Sequence, residues 1–355
     1  MTQVQHGGSP GRERDKGPGK RGGGERVMVP DAEFTSYYGR PIVKPAPWEH
    51  DIAFYLFTGG VAAGSSLLAA GADITGRPGL RRVARLGSLG SLVASMGFLV
   101  HDLGRPSRFL NMLRVAKMTS PMSVGTWILS VHAPFAALAS MAELVGMLPT
   151  RWQGGPVRLL LAVGRPAGLV GALTAPPVAA YTAVLLADTA TPAWHSAHEE
   201  LPFVFCGSAA AASGGLGLLG SPLAESGPAR AFGVGGALVE LAAERRMERS
   251  MGLSVETLHH GVAGRWMRAS TALTAAGAVA ALAGLRSPVL SKVSGAALMA
   301  GSFCTRMGVF EAGLASAKDP KYTVVPQRER LARGEPVRHQ PAPHDRADQE
   351  GPGHD

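Results

Sequence analysis

The sequence predicts an all-α integral membrane protein: a bundle of about eight transmembrane helices between disordered polar tails. Three observations carry this. Only 17% of the 355 residues are charged, below the roughly 25% usual in a soluble domain. Apolar runs of about 20 residues recur along the chain, and at 1.5 Å per residue each is long enough to cross a hydrocarbon core of about 30 Å. The Gly-, Pro-, Arg- and His-rich stretches gather at the two ends. Three regions follow: a basic N-terminal tail over 1–47, a helical membrane domain over 48–317, and a polar tail over 318–355.

The tail at 1–30 has low hydrophobicity, high charge and many breakers, the composition of a disordered segment. It holds no basic stretch leading into a short apolar run and cleavage site, so no signal peptide is expected. The spans are expected at 52–72, 83–100, 121–148, 164–187, 201–220, 229–243, 267–285 and 289–317. The sixth is short and ends in Glu244-Arg245-Arg246-Met247-Glu248-Arg249. Pro176-Pro177 should break the ladder of the fourth, because neither residue can donate to it. Gly60-xxx-Gly64, the GSAAAASGG of span five and the GVGGA of span six supply small side chains for close helix packing. Eight spans place both tails on one side. Lys and Arg are more numerous there, which points to the cytoplasm.

The net charge of +9 could suggest nucleic acid, but the basic residues sit in tails and at span ends, so no nucleic-acid partner is expected. Cys206 and Cys304 are too few for an iron–sulfur cluster and form no haem-attachment motif. Haem b is equally disfavoured, since His132 has no second histidine at matched depth. His195-xx-His198-Glu199 is a weak metal motif.

Three patches stand out. Trp48-Glu49-His50-Asp51 leads into Phe54-Tyr55 at the mouth of the first span. It reads either as an interfacial aromatic belt or as a ring-flanked, titratable pocket for a quinone, whose carbonyls want donors and whose redox change moves protons. The second is the long connection from His101-Asp102 through Arg105 and Arg108 to Ser120-Pro121 and Trp127. It is either a set of interfacial charges or a platform on which another subunit docks, with Asp102, Arg105, Arg108 and Trp127 as the candidate contacts. The third is Tyr181, just after the proline pair. Its hydroxyl either fills a freed carbonyl or points into a cavity. Among the other ionisable groups, Glu143, Glu240 and Glu311 are expected to snorkel at span ends, whereas His132 and Arg306 lie deeper and are candidates for a proton path.

Three segments then carry a family likeness. They are Tyr55-Leu-Phe-Thr-Gly-Gly-Val-Ala-Ala-Gly64; Leu103-Gly-Arg-Pro-Ser-Arg-Phe109 with Ser120-Pro-Met-Ser-Val-Gly-Thr-Trp127; and Tyr181-Thr-Ala-Val-Leu-Leu186 with Pro192-Ala-Trp194 and Leu201-Pro202. Together they resemble the NrfD / polysulfide reductase membrane-subunit (PsrC-like) family, and the 318–328 stretch resembles actinobacterial members. The resemblance implies an eight-helix subunit without haem that binds menaquinone or a related quinone. It would exchange electrons with a ferredoxin-like subunit of four clusters, itself serving a catalytic subunit, often a molybdopterin enzyme. It places the quinone at the start of the first helix and at a fourth-helix tyrosine, here Asp51 to Tyr55 and Tyr181. His50, Asp51, Tyr55 and Tyr181 are therefore the candidate quinone residues. The family's Asn and His pair on the first helix is replaced here by Asp51 and Tyr55. Two other readings stay open: a polytopic transporter or channel, and a structural anchor without a working quinone site.

Overall fold

In a computed structural model of the chain, the described residues are 41–102, 111, 113–114, 116–149 and 154–334. The described residues fall within one compact unit. Among the described residues there are eight helices of 20 residues or more and no strand: α1 (His50–Ile74), α2 (Pro78–Asp102), α3 (Pro121–Gly146), α4 (Gly155–Ala187), α5 (Leu201–Gly220), α6 (Gly227–Ser250), α7 (Gly261–Ala283) and α8 (Pro288–Lys318). A shorter α9 (Lys321–Ala332) follows. The helices α1 to α5 are each long and apolar enough to cross a membrane.

Proline sets several starts. It stands in the first turn of α3, α4, α5, α6 and α8, where its missing N–H costs nothing and its fixed φ favours the helix. The fourth helix begins nine residues before the expected 164, taking in Pro156 and the Leu159-Leu160-Leu161 run. It stays helical through Pro166, Pro176 and Pro177. Part of the segment expected as a polar tail is also helical, as α9. None of its residues is buried, and it is tied back by Lys321 Nζ to Glu256 Oε2 at 2.8 Å.

Successive helices pair as hairpins: α1 with α2, α3 with α4, α5 with α6, and α7 with α8. The helices α1 and α5 join them, α1 against α4, α5 and α8, and α5 against α4 and α8. The small residues make this approach possible. A Cβ on Gly214 of α5 would collide with the backbone of Gly233 on α6, and one on Gly64 would collide with Ser213. The outer faces carry apolar side chains such as Leu173, Leu238, Val279 and Val293, each more than half exposed.

Two of the three glutamates expected to snorkel do not. Glu143 is buried and meets Arg81 Nε at 3.0 Å and Arg85 Nη1 at 3.2 Å. Glu240 is fully buried, accepting from Thr305 Oγ1 at 2.5 Å, and Glu244 one turn later is buried too. Interior polar partners hold Glu143 and Glu240, which a one-dimensional span cannot reveal. Glu311 is partly exposed and pairs with His50 Nε2 at 2.8 Å.

Candidate functional site

Between α1, α2, α3 and α4, at the end where α1 begins, lies a cavity of about 180 Å³. Its walls are mainly apolar, with Ile52, Leu56, Met96, Leu99, Leu129 and Leu186 among them. The polar groups are few: Tyr55, Asp102, Thr126, Ser130 and Tyr181. Trp48 closes one side and stacks on Trp194, with ring centroids 5.7 Å apart and planes 27° apart. Trp194 is itself anchored, donating from Nε1 to the Val309 carbonyl at 2.8 Å.

Tyr55 sits on the buried face of α1 and Tyr181 on α4, and their hydroxyls hydrogen-bond to each other. Gly125 of α3 makes room for this pair, since a Cβ there would strike the Tyr181 ring. Tyr181 lines the cavity and its hydroxyl meets that of Tyr55, while α4 continues through Pro176-Pro177. A bonded pair of hydroxyls uses one proton between the two oxygens. The accepting tyrosine keeps its own O–H to donate elsewhere. The site is thus an apolar slot with a preset donor.

The other candidates divide. Asp51 does not line the cavity; it meets His101 Nδ1 at 2.5 Å on the exposed rim. His50 turns to Glu311 on α8. Asp102, expected among the docking residues, lines the cavity. Arg105 and Arg108 lie outside the described residues. Trp127 is on α3, 42% exposed, and lines a separate groove between α3 and α4.

His132 and Arg306 are both buried. His132 Nδ1 is 3.1 Å from both the Gly171 carbonyl and Thr174 Oγ1, while Nε2 has no partner. Because Nδ1 faces a carbonyl, it carries the proton, and Nε2 is an unused acceptor. The Arg306 guanidinium lies 3.6 Å from the Phe205 ring centroid and donates from Nη2 to the Phe205 carbonyl at 2.8 Å. The two groups are in different halves of the bundle, so they do not form one site.

Among the described residues no three His, Cys, Asp or Glu side chains are placed to hold a metal ion. The His195 and His198 rings stack at 5.7 Å and turn their Nδ1 atoms to backbone carbonyls. Thr126, Ser130 and the Gly125 clearance had no distinct signal in sequence, because each is ordinary in a membrane helix until α4 packs beside it.

A search of curated proteins finds no match. The family description "Polysulphide reductase, NrfD" matches residues 42–220, from just before α1 to the last residue of α5. Every residue lining the cavity lies inside that match. On this match over half its length, the chain belongs to the polysulphide reductase NrfD family.

Proposed function

We propose that this chain is the membrane subunit of an oxidoreductase complex and exchanges electrons between the menaquinone pool and an iron–sulfur partner. The observation that carries this reading is the Tyr55–Tyr181 pair in an apolar slot. The residues fit a quinone ring: apolar walls for the ring, and a tyrosine hydroxyl for a carbonyl oxygen. A bound quinol supplies two electrons and two protons on oxidation. The tyrosine pair orients the ring and holds a proton at the phenolic oxygen. Asp102, on the wall, and the Asp51–His101 pair at the rim provide carboxylate and imidazole groups for proton exchange with water. His50 supports that rim through Glu311.

The partners we assign are a four-cluster ferredoxin-like subunit and a catalytic subunit, in keeping with a chain whose two cysteines are separate and free. Asp102, Arg105, Arg108 and Trp127, in and after the connection that follows α2 in sequence, are the proposed docking residues. All eight long helices cross the cytoplasmic membrane in this proposal, with both tails in the cytoplasm. For α6 to α8 this is supported by lengths of 24, 23 and 31 residues and by their exposed apolar faces. His132 and Arg306 are the proposed proton-path residues.

Trp48 gives the test. Titrating the purified full chain with a short-chain menaquinone analogue should quench tryptophan fluorescence. Trp48→Phe should remove most of the quench, and Tyr181→Phe should weaken affinity about tenfold, the effect of one good hydrogen bond. Quenching with unchanged affinity in Tyr55→Phe and Tyr181→Phe would remove this site from consideration.

A further inference from the structure

At the opposite end of α1 to α4 from the tyrosine pair, a second cavity of about 350 Å³ is lined by six charged side chains together with Ala142, Gly146 and Leu161. Two carboxylates, Glu143, which is buried, and Asp73, whose side chain is 9% exposed, face four arginines: Arg81, Arg82, Arg85 and Arg165. Arg81 bridges both acids, to Asp73 Oδ1 at 3.1 Å and to Glu143 Oε2 at 3.0 Å. Arg85 reaches Glu143 at 3.2 Å and Asp73 at 3.9 Å. Arg82 approaches Glu143 through Nε at 3.6 Å, and Arg165 approaches Asp73 through Nε at 3.2 Å.

The charges do not balance. Four guanidinium groups against two carboxylates leave a surplus of two positive charges among the described residues of this cavity. Each guanidinium carries five N–H donors, and one engaged along its Nε edge still presents its two Nη groups. Arg85, only 8% exposed at its side chain, lines the cavity with a buried Nε that has no partner. The side chains of Arg82 and Arg165, 50% and 67% exposed, stand at the rim. A purely structural ion-pair staple would need no such excess, and a buried unpaired donor is costly.

The place of the cavity narrows the ligand. It lies where α1 ends and α2 begins, at headgroup level for helices long enough to span. Ile74 and Leu159 nearby are each 67% exposed, a surface suited to acyl chains. We propose that this cavity binds one phosphate-class oxoanion, supplied in the membrane by the phosphodiester of an anionic phospholipid. Arg85 forms its floor, and Arg82 and Arg165 close over it with paired N–H donors, the geometry that suits phosphate oxygens.

The test uses the purified full chain, delipidated in mild detergent. Phosphatidylglycerol added to the micelles should raise the melting temperature and be retained as one lipid per chain in native mass spectrometry. Phosphatidylcholine, whose choline offsets the phosphate, should do neither. In R82Q/R165Q, with helix content and elution unchanged, phosphatidylglycerol should bind at least about tenfold more weakly. If that variant fails to fold, the wild type still decides: about 1 M sodium chloride must release the lipid. A melting shift from inorganic phosphate alone, without lipid retention, keeps the oxoanion site and changes its source to free phosphate. Retention of phosphatidylglycerol by the folded R82Q/R165Q variant as by wild type, its survival in high salt, or no response to either probe would overturn the proposal.

Discussion

Tyr55 and Tyr181, 126 residues apart in sequence, meet hydroxyl to hydroxyl between α1 and α4. The contact couples two expectations that a single substitution cannot separate. Tyr55→Phe leaves the Tyr181 hydroxyl buried without its partner, which costs about 1–3 kcal/mol, and Tyr181→Phe does the same in reverse. The double variant removes both polar groups. Its melting temperature should therefore lie no lower than those of the singles. Quinol-linked turnover of the assembled complex should fall in all three, by about tenfold or more. A double variant whose stability loss equals the sum of the singles would show that the hydroxyls are not partnered.

Gly125 tests the same geometry from the third helix. Gly125→Ala places a methyl group against the Tyr181 ring, and overpacking of this kind costs about 1–3 kcal/mol. Gly90→Ala on α2 meets nothing within 4 Å and should be neutral or stabilising by up to about 1 kcal/mol, the gain of alanine over glycine in a helix. The melting temperature should therefore fall in Gly125→Ala and hold or rise in Gly90→Ala. Only Gly125→Ala should weaken quinone-analogue binding.

These pairs show what was legible in the sequence and what was not. The apolar runs located α1 to α5, the helices long and apolar enough to cross a membrane, because span length and hydrophobicity are local properties; α6 to α8 are long helices at positions where spans are expected. Tyr55 and Tyr181 could be singled out as polar rings in apolar helices, but their meeting could not, since it depends on the rotation of α1 and α4. For the same reason His50 and Asp51, adjacent in sequence, part company. They are 100° apart on the helix, so one turns to Glu311 and the other to His101. Glu143 looked like a span-end residue, and in sequence terms it is. Only the packing of α2 against α3 brings Arg81 and Arg85 to it and makes it interior.

His132 separates a structural role from a proton role. Its ring is fully buried with one nitrogen bonded and the other an orphan. His132→Leu, of similar volume, loses the bond at Nδ1 and relieves the unpaired Nε2. Stability should stay within about 1 kcal/mol of wild type. In proteoliposomes containing the assembled complex, electron delivery from quinol should persist, while any proton uptake coupled to it should fall about tenfold. Unchanged uptake would take His132 out of the proton path.

The attachment of α9 should depend on pH in a defined way. The hydrogen bond from Lys321 holds Glu256 below the usual carboxylate range, and the same bond, with a smaller contribution from Tyr322, raises Lys321. A lowered carboxylate contributes above its unfolded pKa and loses that contribution as the pH falls through the folded one. A raised amine contributes below its unfolded pKa and loses the contribution as the pH rises through the folded one. Docking of α9 should therefore be constant across neutral pH and fail at both extremes. Hydrogen exchange of the 321–332 amides should show that plateau at low ionic strength and should quicken with added salt, because the pair is exposed and screened. Lys321→Ala should give the fast exchange at every pH, with exchange in α1 to α8 unaltered, since α9 buries none of its own residues.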